Sequence, residues 1–204
     1  MSLSSEHIHA DALEHAAHEV DPHFLVARAR AGVLLLILSD ALAALGLIAG
    51  GGYLGALNTL GQYKIAGDHA SSPLQALLLA VALAVSGFSY FWWQLARKRQ
   101  GANLLAIFAL AWVCMIAATV IQIVIGSSLG YTAPYHAYES LIILITWYSA
   151  IHLLLTSCIT GLLVFGRGLR GRLVDREYIV EVHGYWWYYT VIVSLIMLLF
   201  TVFA

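Results

Sequence analysis

The sequence predicts an all-α integral membrane protein of five transmembrane helices, with the N-terminus inside and the C-terminus outside. Three observations carry this. Of 204 residues, 61% are hydrophobic and only 10% are charged, against about 25% in soluble domains, which is more apolar surface than a soluble fold can hide. Five apolar stretches, residues 32–53, 74–96, 102–126, 141–165 and 185–204, each reach the roughly 20 residues needed to cross about 30 Å of hydrocarbon. Nine of the ten Lys and Arg residues fall before the first stretch or in every second loop, hence on one face, which is how short loops mark the face on which they remain.

Residues 1–27 read as a polar tail ahead of a transmembrane domain at 28–204. The tail carries His7, His9, His15, His18 and His23 among five carboxylates. It has neither the basic start nor the short apolar core of a cleavable signal, so the N-terminus is expected to stay where it is made. His15 and His18 could share a helical face and a metal; the alternative is a solvated, partly helical tail.

The first span follows Arg28 and Arg30. It holds Ala41, Ala43, Ala44, Gly46, Ala49 and Gly50, a pattern that lets a neighbouring helix approach closely or leaves a groove for lipid tails. The loop at 54–73 carries only Lys64 and belongs outside. The second span ends in Tyr90, Phe91, Trp92 and Trp93 before Arg97, Lys98 and Arg99, an aromatic belt beside an inner loop. The third span is apolar throughout except for groups such as Gln122 and Cys114; Cys114 and Cys158 lie far apart with no CxxC and read as packing residues. The loop at 127–140 belongs outside, the fourth span ends before Arg167, Arg170, Arg172 and Arg176, and the fifth opens with a second aromatic cluster from Tyr185 to Tyr189.

A carboxylate inside hydrocarbon costs roughly 2.5–3.5 kcal/mol on insertion scales, so it calls for a partner or a purpose. Asp40 lies ten residues beyond Arg30, about 15 Å deep at 1.5 Å per residue. It reads as a proton-handling or structure-pinning group, or as an acid kept neutral or tied to Ser39 or a neighbouring helix. His152, midway between Glu139 and Arg167, has a matching depth, so pairing with Asp40 is feasible. Heme ligation by His152 would need a second histidine at the same depth, whereas His183 is expected near the inner surface. There is no HExxH, nucleophile elbow or phosphate loop, and the chain is expected to serve a larger assembly.

The segment from Arg30 through Gly32 to Ser39-Asp40 resembles the R-x-G-x(6)-S-[DE] signature of subunit III of heme-copper oxidases, without a gap. Tyr138-Glu-Ser140 followed by His152 resembles that family's Y-x-S segment leading to the second histidine of H-G-L-H, with Ser149 in place of the first. Glu181 to Trp187 is similar to the E-x(4)-Y-W opening of its last helix, where the following H-F-V-D is here Tyr188-Tyr-Thr-Val191. Helix three has Gln122 where the family usually has one or two glutamates. The resemblance runs from about Arg28 to the C-terminus and fits the short, five-helix form.

The resemblance implies an accessory subunit of a terminal oxidase in a bacterial inner membrane, packed beside catalytic subunit I with subunit II in the same complex. It implies no redox centre in this chain, heme and copper in the catalytic partner, bound phospholipid, support of proton uptake, and no nucleic-acid partner. Asp40 takes the position of a buried carboxylate that reacts with hydrophobic carbodiimides, with Arg30, Ser39, His152 and Glu181 in support. Trp92, Trp93, Trp186 and Trp187 are the expected lipid or interface residues. Competing readings are an accessory protein of a nitric-oxide reductase or another respiratory complex, a membrane enzyme with its own heme or quinone, and a free-standing proton-coupled transporter with Asp40 and His152 as its relay.

Overall fold

The computed structural model describes residues 22–58, 63, 71–99, 103–130, 137–164 and 177–203. Among these are five helices and no strand: α1 (Pro22–Ala56), α2 (Pro73–Lys98), α3 (Leu104–Ser128), α4 (Ala137–Leu163) and α5 (Glu177–Phe203). Each is long and apolar enough to cross a membrane. Their number and order match the apolar stretches. The ends differ, because apolarity delimits only the part of a helix that suits hydrocarbon, while backbone hydrogen bonds run on into the polar zone. Thus α1 begins at Pro22, inside the stretch read as polar tail, and α5 begins at Glu177 rather than at 185. Most of the His-rich tail, Lys64 and the arginines from Arg167 to Arg176 lie outside the described residues.

Local chemistry explains how the helices start and stop. Pro22 and Pro73 open α1 and α2, where a missing N–H costs nothing. Ser72 and Gln75 close a capping box on α2: the Gln75 amide donates to Ser72 Oγ at 3.2 Å, and the Ser72 amide donates to Gln75 Oε1 at 3.0 Å. Arg97 and Lys98 in its last turn complement the helix dipole. Before α3, Asn103 takes a left-handed backbone with φ of 64°, which asparagine tolerates better than most residues.

Helices α2, α3, α4 and α5 close a ring in which α2 packs on α3, α3 on α4, α4 on α5 and α5 on α2. α1 stands outside the ring and, among the described helices, touches only α4 and α5. One end of the bundle, called here the basic end, carries Arg28, Arg30 and Arg97 to Arg99.

The interior of the ring follows a seven-residue repeat. Buried positions run 142, 146, 149, 153, 156, 160 on α4 and 183, 187, 190, 194, 197, 201 on α5, the alternating three and four of a bundle seam. Apolar residues such as Leu83, Met115, Leu153 and Trp187 fill part of it. On α4 and α5 the other seam positions are polar: Thr146, Ser149, Thr156, Thr160, His183, Thr190, Ser194 and Thr201. Lipid is as apolar as leucine, so helices in a membrane gain little by burying leucine and more by close packing and hydrogen bonds. Such bonds join neighbours around the ring: Ser86 Oγ donates to the Ala111 carbonyl at 3.0 Å, Gln122 Nε2 to the Thr146 carbonyl at 3.1 Å, and Trp112 Nε1 to the Ser157 carbonyl at 3.2 Å.

Candidate functional site

The site forms where α1 meets the seam between α4 and α5. Asp40 sits in mid-α1 with its side chain 19% exposed, and His152 in mid-α4 with its side chain 10% exposed. His152 Nε2 lies 2.9 Å from Asp40 Oδ2. The same oxygen accepts the hydroxyl of Tyr148 at 2.7 Å and that of Tyr189 at 2.5 Å. Two phenol donors and an imidazole nitrogen, from two helices, therefore converge on one carboxylate oxygen of a third, the arrangement that compensates a carboxylate for lost hydration.

The imidazole tautomer follows from its other partner. His152 Nδ1 is 2.7 Å from the Tyr148 carbonyl, which can only accept, so Nδ1 carries a proton. Nε2 is the ring nitrogen that faces Oδ2. The ring rests against Tyr148, with centroids 4.2 Å apart, and against Trp186 at 5.8 Å. Trp186 in turn packs on Tyr189 at 5.7 Å. The helical spacing of 148 and 152, and of 186 and 189, turns each pair toward α1.

The other residues singled out from sequence divide. Arg30 Nη2 pairs with Glu181 Oε2 at 2.6 Å, and Tyr185 donates to Glu181 Oε1 at 2.6 Å. This partly exposed pair is a second tie between α1 and α5, about 15 Å along α1 from Asp40, and it does not touch the carboxylate. Ser39 is exposed and is not among the partners of Asp40. The tie runs instead to neighbouring helices.

Of the four tryptophans named above, Trp92 is exposed. Trp93 is half-buried against Tyr90 and Phe108, with the Arg97 guanidinium 5.7 Å from its ring centroid. Trp186 belongs to the Asp40 cluster. Trp187 corrects the expectation: it is fully buried, stacked on Tyr90 with centroids 4.5 Å apart, because its seam position points it into the ring. Cys158, read as a packing residue, is exposed, while Cys114 is half-buried.

Sequence reasoning missed Tyr148 and Tyr189, which the belt reading leaves at the membrane surface or unremarked. A signal existed for Tyr148, since it lies one helical turn from a mid-membrane histidine. It also missed the interior role of His183. That residue is buried, with Nδ1 3.0 Å from the Tyr90 hydroxyl and Nε2 3.0 Å from Thr160 Oγ1. Thr160 donates its own proton to the Thr156 carbonyl, so it accepts from Nε2–H, and Tyr90 donates to Nδ1. Both histidines thus have both ring nitrogens engaged, and a heme could bind either only by breaking one of these bonds.

Chemically the cluster can hold or release one proton between an imidazole and a carboxylate, and it can lock α1 to the ring. Compared with known proteins, the chain matches no family model and no curated sequence.

Proposed function

We propose that this chain is an accessory subunit of a heme-copper terminal oxidase, the short five-helix form of subunit III, in a bacterial inner membrane. In this reading the basic end faces the cytoplasm. Heme and copper reside in catalytic subunit I, subunit II completes the complex, and phospholipid covers the exposed apolar faces. The Asp40 cluster is a positioning device: it keeps α1 in register with α4 and α5, and with it the proton-entry region of the catalytic partner.

One observation supports the reading above others. Asp40 comes from the R-x-G-x(6)-S-[DE] segment and His152 from the segment resembling Y-x-S leading to H-G-L-H, over a hundred residues apart, yet their side chains meet at 2.9 Å. The third resembling segment supplies Glu181, which pairs with Arg30 of the first. The departure at Tyr188 to Val191 is accommodated here, since Tyr189 supplies a donor to Asp40.

The test is to tag the chain, extract it in mild detergent, identify what co-purifies and record the reduced-minus-oxidised spectrum. Recovery of a large heme-bearing subunit is expected, with the colour lost when this chain alone is stripped away. Within that complex, Asp40→Ala is expected to shorten the enzyme's working lifetime and abolish carbodiimide sensitivity. A heme-bearing partner that reduces nitric oxide rather than oxygen would move the chain to the related accessory role. A colourless, partner-free preparation would overturn the proposal in favour of a proton-coupled transporter working through Asp40 and His152.

A further inference from the structure

The core of the ring contains a small polar cavity of about 10 Å³, away from the Asp40 cluster. It is bordered by Ser71 ahead of α2, Gln122 of α3, Thr146 and Ser149 of α4, and Met197 and Thr201 of α5. Ser149 is 2% exposed and its hydroxyl has no hydrogen-bond partner; the buried hydroxyl of Ser71 has none either. Elsewhere in these helices Thr119, Thr156 and Thr160 return their protons to the carbonyl four residues back; Ser194 of α5 shares the unbonded state of Ser149 but does not border the cavity. Gln122 uses only Nε2, toward the Thr146 carbonyl, which leaves its Oε1 to accept. Thr201 donates to the Leu198 carbonyl, which leaves lone pairs on Oγ1.

We propose that this cavity is a binding site for a single internal water molecule, seated on the Ser149 hydroxyl and shared with Ser71, Gln122 and Thr201. The volume suits about one water, and a site needs two to four polar partners to keep it. Apolar cavities of this size stay dry, but this one borders two hydroxyls that otherwise lose hydration without return. The water joins α3, α4, α5 and the segment before α2, beside the Gln122–Thr146 bond that already links α3 to α4 at this level. The site stands independently of any oxidase partner.

Met115 and Met197 make the test internal to the protein. Both are fully buried, but only Met197 borders the cavity. Brief X-ray radiolysis of the full chain in lipid nanodiscs generates hydroxyl radicals from bound as well as bulk water. Met197 is expected to be oxidised several-fold faster than Met115, while peroxide added from solution oxidises both slowly and alike. Ser149→Ala is expected to bring the Met197 radiolysis rate down to that of Met115. Equal radiolysis rates in the unaltered protein would overturn the proposal. So would faster reaction of Met197 with added peroxide, which would mean a passage open to bulk solvent rather than a bound water.

Discussion

α1 and the ring of α2 to α5 sit in the same membrane but are held by different means. The ring is closed on itself by a long seam and by hydrogen bonds distributed over all four helices, so no single contact carries it. Among the described helices α1 lies against α4 and α5 only, and Leu34, Leu35, Leu38, Leu42 and Leu45 face outward, each more than half exposed. It is fastened at three levels: Arg30 to Glu181 near the basic end, Asp40 to His152, Tyr148 and Tyr189 in the middle, and Gly51 against Leu141 and Phe200 near the other end. An element held at few points is sensitive to single changes at those points, and that makes it the part of the molecule where one carboxylate can matter most.

The largest effect is expected at the middle fastening. Asp40→Ala leaves one imidazole and two phenols without their shared acceptor, and removing one partner of a buried pair costs about 3 kcal/mol. Disulfide trapping between Ala44→Cys and Val193→Cys, residues of one packed cluster, should fall sharply when Asp40→Ala is added. Unchanged trapping and unchanged unfolding in mixed micelles would show that α1 is not held this way.

The next effect concerns close approach. A Cβ at Gly51 would lie 2.6 Å from the Phe200 ring and closer still to Leu141, whereas at Gly46 and Gly50 it would meet nothing within 4 Å. Gly51→Leu is therefore expected to destabilise by about 1–3 kcal/mol through overpacking, and Gly50→Leu by less than about 0.5 kcal/mol. Equal losses in unfolding experiments would mean that α1 docks on a different face.

Within the ring the expectation is smaller. Thr156 and Thr190 share a 2.9 Å hydrogen bond, and a double-mutant cycle of Thr156→Val and Thr190→Val should return a coupling of about 0.6–1.7 kcal/mol. A coupling as large as the loss from Asp40→Ala would erase the contrast between a distributed core and a point-fastened arm. The smallest effect belongs to Arg30→Ala. Both members of that pair are well exposed and such pairs contribute little, so disulfide trapping of α1 is expected to stay close to that of the unaltered protein.

The legibility of these features in the sequence varies for physical reasons. Asp40 and His152 stand out because ionisable groups are scarce at mid-membrane and depth can be counted from flanking charges. Tyr148 and Tyr189 do not, because tyrosine is at home both at the interface and inside, and depth alone cannot single it out. The hydroxyls at 146, 149, 156 and 160 do have seam spacing, yet Ser and Thr can satisfy themselves on their own helix, so spacing alone does not say which way they face. Trp187 was misread for a related cause: one position along from Trp186, it faces the core while Trp186 packs on His152 and Tyr189.

What the sequence by itself determined is the number, order and approximate length of the helices and the mid-helix placement of Asp40 and His152. Each of these follows from a condition that the membrane imposes on a segment in isolation: enough apolar length, backbone bonds closed within the segment, and a penalty for charge. Only the tertiary structure decided that α1 stands outside a ring of the other four, that Asp40 gathers two tyrosines and a histidine, and that serine and threonine line the core. Those outcomes depend on the rotation of several helices at once. Between helices in lipid no general hydrophobic force selects a face, so small residues and individual hydrogen bonds make the choice.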